Sequence, residues 1–219
     1  GRTPLTIAAE NGHKEVCELL IEKGADVNAV EEDGGTALMV AAKEGHKEVC
    51  QLLIEKGAEV NAVDEYGRTA LMYAASNGYK EVCEMLIEKG TDVNAVDEDG
   101  WTALMIAAVT DKGLCKLLIE KGADINAVDE DGKTALMHAA WLRNKEVCEL
   151  LIEKGAEVNT VDKNGSTALK IAAGTPHKEL CGMLIEKGSD VNAVNEDGKT
   201  ALMYAASNGY KEECELLIE

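Results

Sequence analysis

The motif G-x-T-x-L-x-x-A-A begins at Gly1, Gly34, Gly67, Gly100, Gly132, Gly165 and Gly198, in steps of 33, 33, 33, 32, 33 and 33 residues. No other feature restricts the chain so strongly. A unit of this size cannot bury an apolar face alone and does so only by stacking on its neighbours, so a filled array of such units is a solenoid. The chain therefore reads as one domain, 1–219, in repeats 1–33, 34–66, 67–99, 100–131, 132–164, 165–197 and 198–219. Residues 67–88 and 198–219 agree at 19 of 22 positions, which leaves recent duplication and deliberate design both open. Phe is absent and Tyr plus Trp total only seven, so Ala, Leu, Val, Ile, Met and Cys must fill many thin, similar layers.

The third repeat shows the local physics. Thr69 is placed to cap a short helix, Ala70 to Ala75, lined with small residues. Gly78 stops it, being tolerant of positive φ. A second helix runs from Lys80 to Lys89, with Val82, Cys83, Met85, Leu86 and Ile87 on its apolar side and Lys80, Glu84 and Glu88 on its wet face. Gly90 ends it, and Val93 to Gly100 form an extended arm with a turn at its tip. Helices under three turns do not persist alone, so stacking must stabilise them.

These features resemble the ankyrin-repeat family along the whole chain. Thr3-Pro4-Leu5-Thr6-Ile7-Ala8-Ala9 matches part of its T-P-L-H-x-A-A signature, Gly12-His13 and Gly45-His46 match its G-H, and Leu19 to Ala29 match L-L-x-x-x-G-A-D-V-N-A. The resemblance implies an all-α solenoid of helix-turn-helix units with β-hairpin-like fingers. It also implies a non-catalytic module that meets a protein or peptide on the concave surface of fingers and first helices. One departure bears on cohesion. The family's His after T-P-L, which helps tie neighbouring repeats, is replaced by Met in five copies, by Lys170 in one and by Thr6 in another, so cohesion between repeats must come more from packing.

Charge excludes several functions. With 41 acidic against 22 basic residues the net charge is −19, and Arg2, Arg68 and Arg143 are the only arginines. Nucleic acid and anionic membranes both require clustered cations, so neither is an expected partner. The longest apolar stretch, Ala103 to Val109, is far short of the roughly 18 residues that span a bilayer. The opening Gly1-Arg2-Thr3-Pro4 lacks an apolar signal region and reads as a segment cut from something longer.

Seven cysteines, Cys17, Cys50, Cys83, Cys115, Cys148, Cys181 and Cys214, recur at one register. Stacked helices set such positions roughly 8–10 Å apart, beyond disulfide reach, and the spacing is too wide for a zinc knuckle. They read as small buried hydrophobes and, being reduced, fit a cytoplasmic or nuclear compartment. His13, His46 and His177 sit at the family's structural turn position, whereas His138 in a first helix is the one placed to face a ligand. No nucleophile elbow, P-loop or dinucleotide fingerprint occurs. The Asp97-Glu98-Asp99-Gly100 and Asp129-Glu130-Asp131-Gly132 tips resemble pieces of a calcium loop but lack its closing Glu. Neither a catalytic group, a metal nor a cofactor is expected.

Function in a solenoid shows as deviation from the internal consensus. After the finger glycine the chain carries Arg2, Gly35, Arg68, Trp101, Lys133, Ser166 and Lys199, among which Trp101 stands out. After Ala-Ala the central repeats turn apolar, at Val109, Trp141 and Leu142, and Tyr66 occupies a finger position filled elsewhere by Asp or Asn. Tyr66, Tyr73, Trp101, Ile106, Val109, His138, Trp141 and Leu142 are the candidate partner-binding residues, expected in one patch over repeats three to five. Acidic fingers would steer a basic partner to a monomeric chain. Loss of the turn glycine, to Arg143 and Pro176, should tilt or refold those turns, and the fourth repeat is one residue short, with Val109-Thr110-Asp111-Lys112 as its inter-helix turn.

Two alternatives remain. The chain would serve as a scaffold or spacer within a larger protein, or as a substrate of asparaginyl hydroxylation at Asn28, Asn61, Asn94, Asn126, Asn159 and Asn192, the matching position in some family members. Glu213, standing where every other copy has Val or Leu, reads as a polar cap or a frayed end.

Overall fold

The computed structural model describes residues 1–218. They form two compact units, 1–123 and 124–219, described separately here. In the first, α1 (Pro4–Glu10) pairs with α2 (Lys14–Glu22), α3 (Ala37–Lys43) with α4 (Lys47–Glu55), α5 (Ala70–Ser76) with α6 (Lys80–Glu88), and α7 (Ala103–Thr110) with α8 (Lys112–Glu120). In the second, α9 (Ala135–Trp141) pairs with α10 (Lys145–Glu153), α11 (Ala168–Ala173) with α12 (Lys178–Glu186), and α13 (Ala201–Ser207) with α14 (Lys211–Ile218). First helices adjoin first helices and second helices adjoin second helices within each unit. The arms between pairs carry no sheet among the described residues, only the isolated antiparallel bridges Val96–Thr102 and Val128–Thr134.

The motif explains each first helix. Its Thr is extended and its hydroxyl accepts the backbone N–H three residues on, as from Met72 to Thr69 at 3.3 Å. The following Ala-Leu-Met and Ala-Ala are buried, small enough to bring neighbouring first helices close. The second helices bury Val or Leu, Cys, and two further aliphatics on one side. At the Met register Met39, Met72, Met105 and Met137 are buried, whereas Met203 in the last repeat is 53 % exposed. Lys170 is buried at the same register, 2 % exposed, with its Nζ donating to the Gly165 carbonyl at 2.6 Å.

The arms tie one repeat to the next. The carboxamide of Asn61 donates to the Gly90 carbonyl at 3.3 Å and accepts the Asp92 backbone N–H at 2.8 Å. Asn28 and Asn159 do the same with their following repeats. These asparagines are spent on the backbone of their neighbours. His46 plays a structural part as well, its Nε2 lying 2.9 Å from the Glu10 carbonyl oxygen.

The irregular turns differ from one another. Arg143 keeps the left-handed conformation of the glycine it replaces, at φ +59. In the fourth repeat Asp111 is extended, and it both closes α7 and caps α8, accepting the Leu114 N–H at 2.6 Å. Around Pro176 no residue from 174 to 177 has a positive φ, so that turn is rebuilt. Glu213 is buried in the first turn of α14.

Candidate functional site

In residues 1–123 the finger leading into the third repeat builds a side-chain cluster. Asp64 is buried and its Oδ1 accepts the backbone N–H groups of Tyr66 and Arg68, both at 2.9 Å, which fixes the turn. Its Oδ2 accepts the Tyr73 hydroxyl at 2.5 Å and Arg68 Nε and Nη2 at 2.9 and 2.8 Å. The Arg68 guanidinium lies 4.5 Å from the Tyr66 ring centre and 4.9 Å from that of Tyr73, within cation–π range of both. Burial alone would raise the Asp64 carboxyl, but the bonds from Tyr73 and Arg68 outweigh it and hold it below its ordinary value. Burial, then the bond to Asp64, pushes the Tyr73 phenol up. The result is a rigid aromatic–arginine edge with Tyr66 half exposed.

Trp101 sits ahead of α7 in the same register as Arg68. It is half-buried, and its backbone N–H donates to Asp97 Oδ1 at 2.8 Å. Ile106 and Val109 follow along α7, also half-buried.

In residues 124–219, His138 on α9 brings its Nε2 within 2.8 Å of the buried carboxylate of Asp129. Burial lowers its pKa against the opposing pull of Asp129. Trp141 ends α9 and is 67 % exposed, and Leu142 beside it is 49 % exposed. Lys133, which holds the Trp101 register in this repeat, precedes that helix and donates to Asp131 at 2.8 Å. The Trp101 and Trp141 registers therefore lie at opposite ends of a first helix, about 10 Å along its axis.

Sequence reasoning named Tyr66 and Tyr73 but missed Asp64 and Arg68, which join them. The signal was present: Asp or Asn in the finger recurs nine residues before Tyr or His at Asp64–Tyr73, Asp129–His138 and Asn195–Tyr204. Among the described residues no group of three or more His, Cys, Asp or Glu is arranged to hold a metal ion. No described helix is long and apolar enough to cross a membrane. All seven cysteines are free, and all but the half-buried Cys214 are buried.

Helix pairs in register, capped by Thr and joined by bonded arms, define a helical repeat protein. The chain belongs to the ankyrin-repeat family: the family model described as ankyrin repeats (3 copies) matches residues 5–97, 91–162 and 155–219. Among solved structures, the ankyrin repeat domain of human ASB11 is similar at TM-score 0.87 and 26 % identity, covering 99 % of this chain and 98 % of that one. The ankyrin repeat domain of Bcl-3, described as a unique member of the IkappaB protein family, is similar at TM-score 0.87 and 31 % identity, covering 100 % and 99 %. Comparison with curated protein sequences gives no match. Ankyrin repeats are generally protein-interaction modules without catalytic activity.

Proposed function

We propose that this chain binds a partner protein or peptide through its fingers and first helices, without catalysing a reaction, and that the partner is basic. The observation that carries the reading is the exposure of Trp141 and Leu142 at the end of α9. Large apolar side chains left open on a charged surface are the usual anchors of an interface. The Tyr66–Arg68–Tyr73 edge supports it from the other unit, because rings already held in place lose little freedom on binding. The partner's sign is argued from exposed finger carboxylates such as Glu65, Glu98 and Glu130, which attract cations and accelerate encounter.

The test is affinity capture by the wild-type chain beside a Trp101→Ala/Trp141→Ala/Leu142→Ala variant of unchanged fold. The reading predicts a partner held by the first and lost by the second, with an association rate that falls as salt rises. A partner retained by both places the site elsewhere. Association indifferent to salt removes the basic character.

A further inference from the structure

In residues 124–219 the second helices α10, α12 and α14 lie side by side, and their outer faces form an open groove of about 770 Å³. At its middle a side chain is missing. The fifth position of the second helix is Glu18, Gln51, Glu84, Lys116, Glu149 and Glu215 in the other repeats, all long and polar, but Gly182 in the sixth. The fold does not require glycine there. Gly182 lies inside α12 without a positive φ, and a Cβ on it would meet only the Leu216 Cδ2 methyl at 3.8 Å, an ordinary contact. Glycine in a helix interior is destabilising relative to other residues. What it supplies is bare backbone open to close approach, with Met183 and the half-buried Leu216 beside it as an apolar floor.

Charge is ordered around that floor. Lys145, Lys178, Glu179 and Glu212 stand at one end of the groove, and Glu186 and Lys187 at the other, so each end is balanced. Gly182 itself is flanked at its own register by two carboxylates, Glu149 on α10 and Glu215 on α14. Each is one helix spacing away, about 8–10 Å. Glu149 enters no ion pair among the described residues, and Glu215 has an exposed one with Lys211 at 3.4 Å. The middle of the groove is therefore apolar below and negative on both sides.

We infer that this groove is a second docking surface, separate from the fingers and first helices, and that its occupant is a basic amphipathic helix of a partner protein. The helix lies along α12 with an apolar residue over Gly182, and cations on both sides of its apolar stripe reach Glu149 and Glu215. A helix fits rather than an extended chain, because a surface built of helices has spent its own backbone groups and leaves none for a strand to pair with.

Fluorescence anisotropy with the full chain and a labelled helical peptide tests this. The peptide, about 14 residues long, carries leucines at alternating three- and four-residue steps with lysines on both sides of the stripe. A second peptide has the same composition, scrambled so that no stripe forms. The ordered peptide should bind at least tenfold tighter than the scrambled one. Gly182→Glu restores the kind of side chain the other repeats carry, and thermal unfolding should show a fold at least as stable as wild type. It should nonetheless weaken the ordered peptide at least tenfold. The substitution adds a negative charge, so a peptide held by charge alone would bind the variant no more weakly. Glu149→Gln should weaken it several-fold, and a benzophenone in place of one leucine should photo-crosslink to α12 or α14. An affinity unchanged by either substitution, equal binding of the two peptides or no binding at all overturns the proposal. Crosslinks on the fingers or first helices overturn this surface and support the one proposed above.

Discussion

Lys170→Met puts a number on the buried lysine. Lys170 holds a register at which Met39, Met72, Met105 and Met137 are buried, and is itself buried with its ammonium donating to the Gly165 carbonyl. Removing an ammonium from water costs several kcal/mol even after relaxation. The charge-assisted bond returns about 1.5–3 kcal/mol, and attraction to Asp162 and Asp190 returns more. Methionine loses those gains, avoids the desolvation and buries apolar surface worth about 1.5–3 kcal/mol, part of which the lysine stem already contributes. The net expectation is a stabilisation of about 1–3 kcal/mol, or roughly 3–10 °C in Tm for a chain of this length.

The pH dependence adds a second, independent readout. Desolvation holds Lys170 below its ordinary value of 10.5, so between its folded pKa and 10.5 the unfolded chain binds the extra proton. The destabilisation of the wild type is thereby relieved as pH rises through that window, and the advantage of Lys170→Met is largest near neutrality and shrinks toward pH 10.5. Burial pushes the thiols of Cys50, Cys83, Cys115, Cys148 and Cys181 up to about 12, which makes the folded state lose stability above pH 9. That effect is common to both proteins and cancels in their difference. Thermal unfolding of the pair at several pH values is the assay. A variant less stable than wild type, or an advantage unchanged up to pH 10.5, refutes the reasoning.

Other consequences are simpler to read. Asn61→Ala removes two inter-repeat bonds and should cost about 1–3 kcal/mol in urea unfolding. Thr91 and Ser189 stand where other repeats have Ala, and their buried hydroxyls have no hydrogen-bond partner, so Thr91→Ala and Ser189→Ala should each stabilise by about 1 kcal/mol. A thiol reagent should modify half-buried Cys214 well before Cys50, Cys83 or Cys148, as peptide mapping by mass spectrometry would reveal.

The helices were legible because the period repeats seven times and every copy corrects the reading of the others. Thr69 as cap and Gly78 and Gly90 as stops all stand where the motif puts them, with φ of +74 and +94 at the glycines. The side-chain cluster was less legible. Asp64 and Tyr73 are nine residues apart, on an arm and a helix, and no helical or strand period joins them. The burial of Lys170 was hidden for another reason: a charged side chain at a core register signals a departure without saying whether the site opens or the charge goes in. Trp141 was found by comparing repeats with one another, but its distance along the helix from the Trp101 register required the helix itself.

The turn glycines carry a lesson about how such arrays diverge. A Cβ at Gly12 would meet the His46 ring at 2.8 Å, and one at Gly45 would meet the Tyr79 ring at 2.7 Å, so any other residue there must push aside the ring of the following repeat. At Gly78 nothing lies within 4 Å. In the second unit the His177 ring instead caps its own helix, accepting the Leu180 N–H at Nδ1, and the preceding turn has exchanged its glycine for Arg143. At Arg143 a side chain thus stands in a turn whose following repeat uses its ring elsewhere, so what one turn accommodates depends on the side chain that the next repeat presents to it.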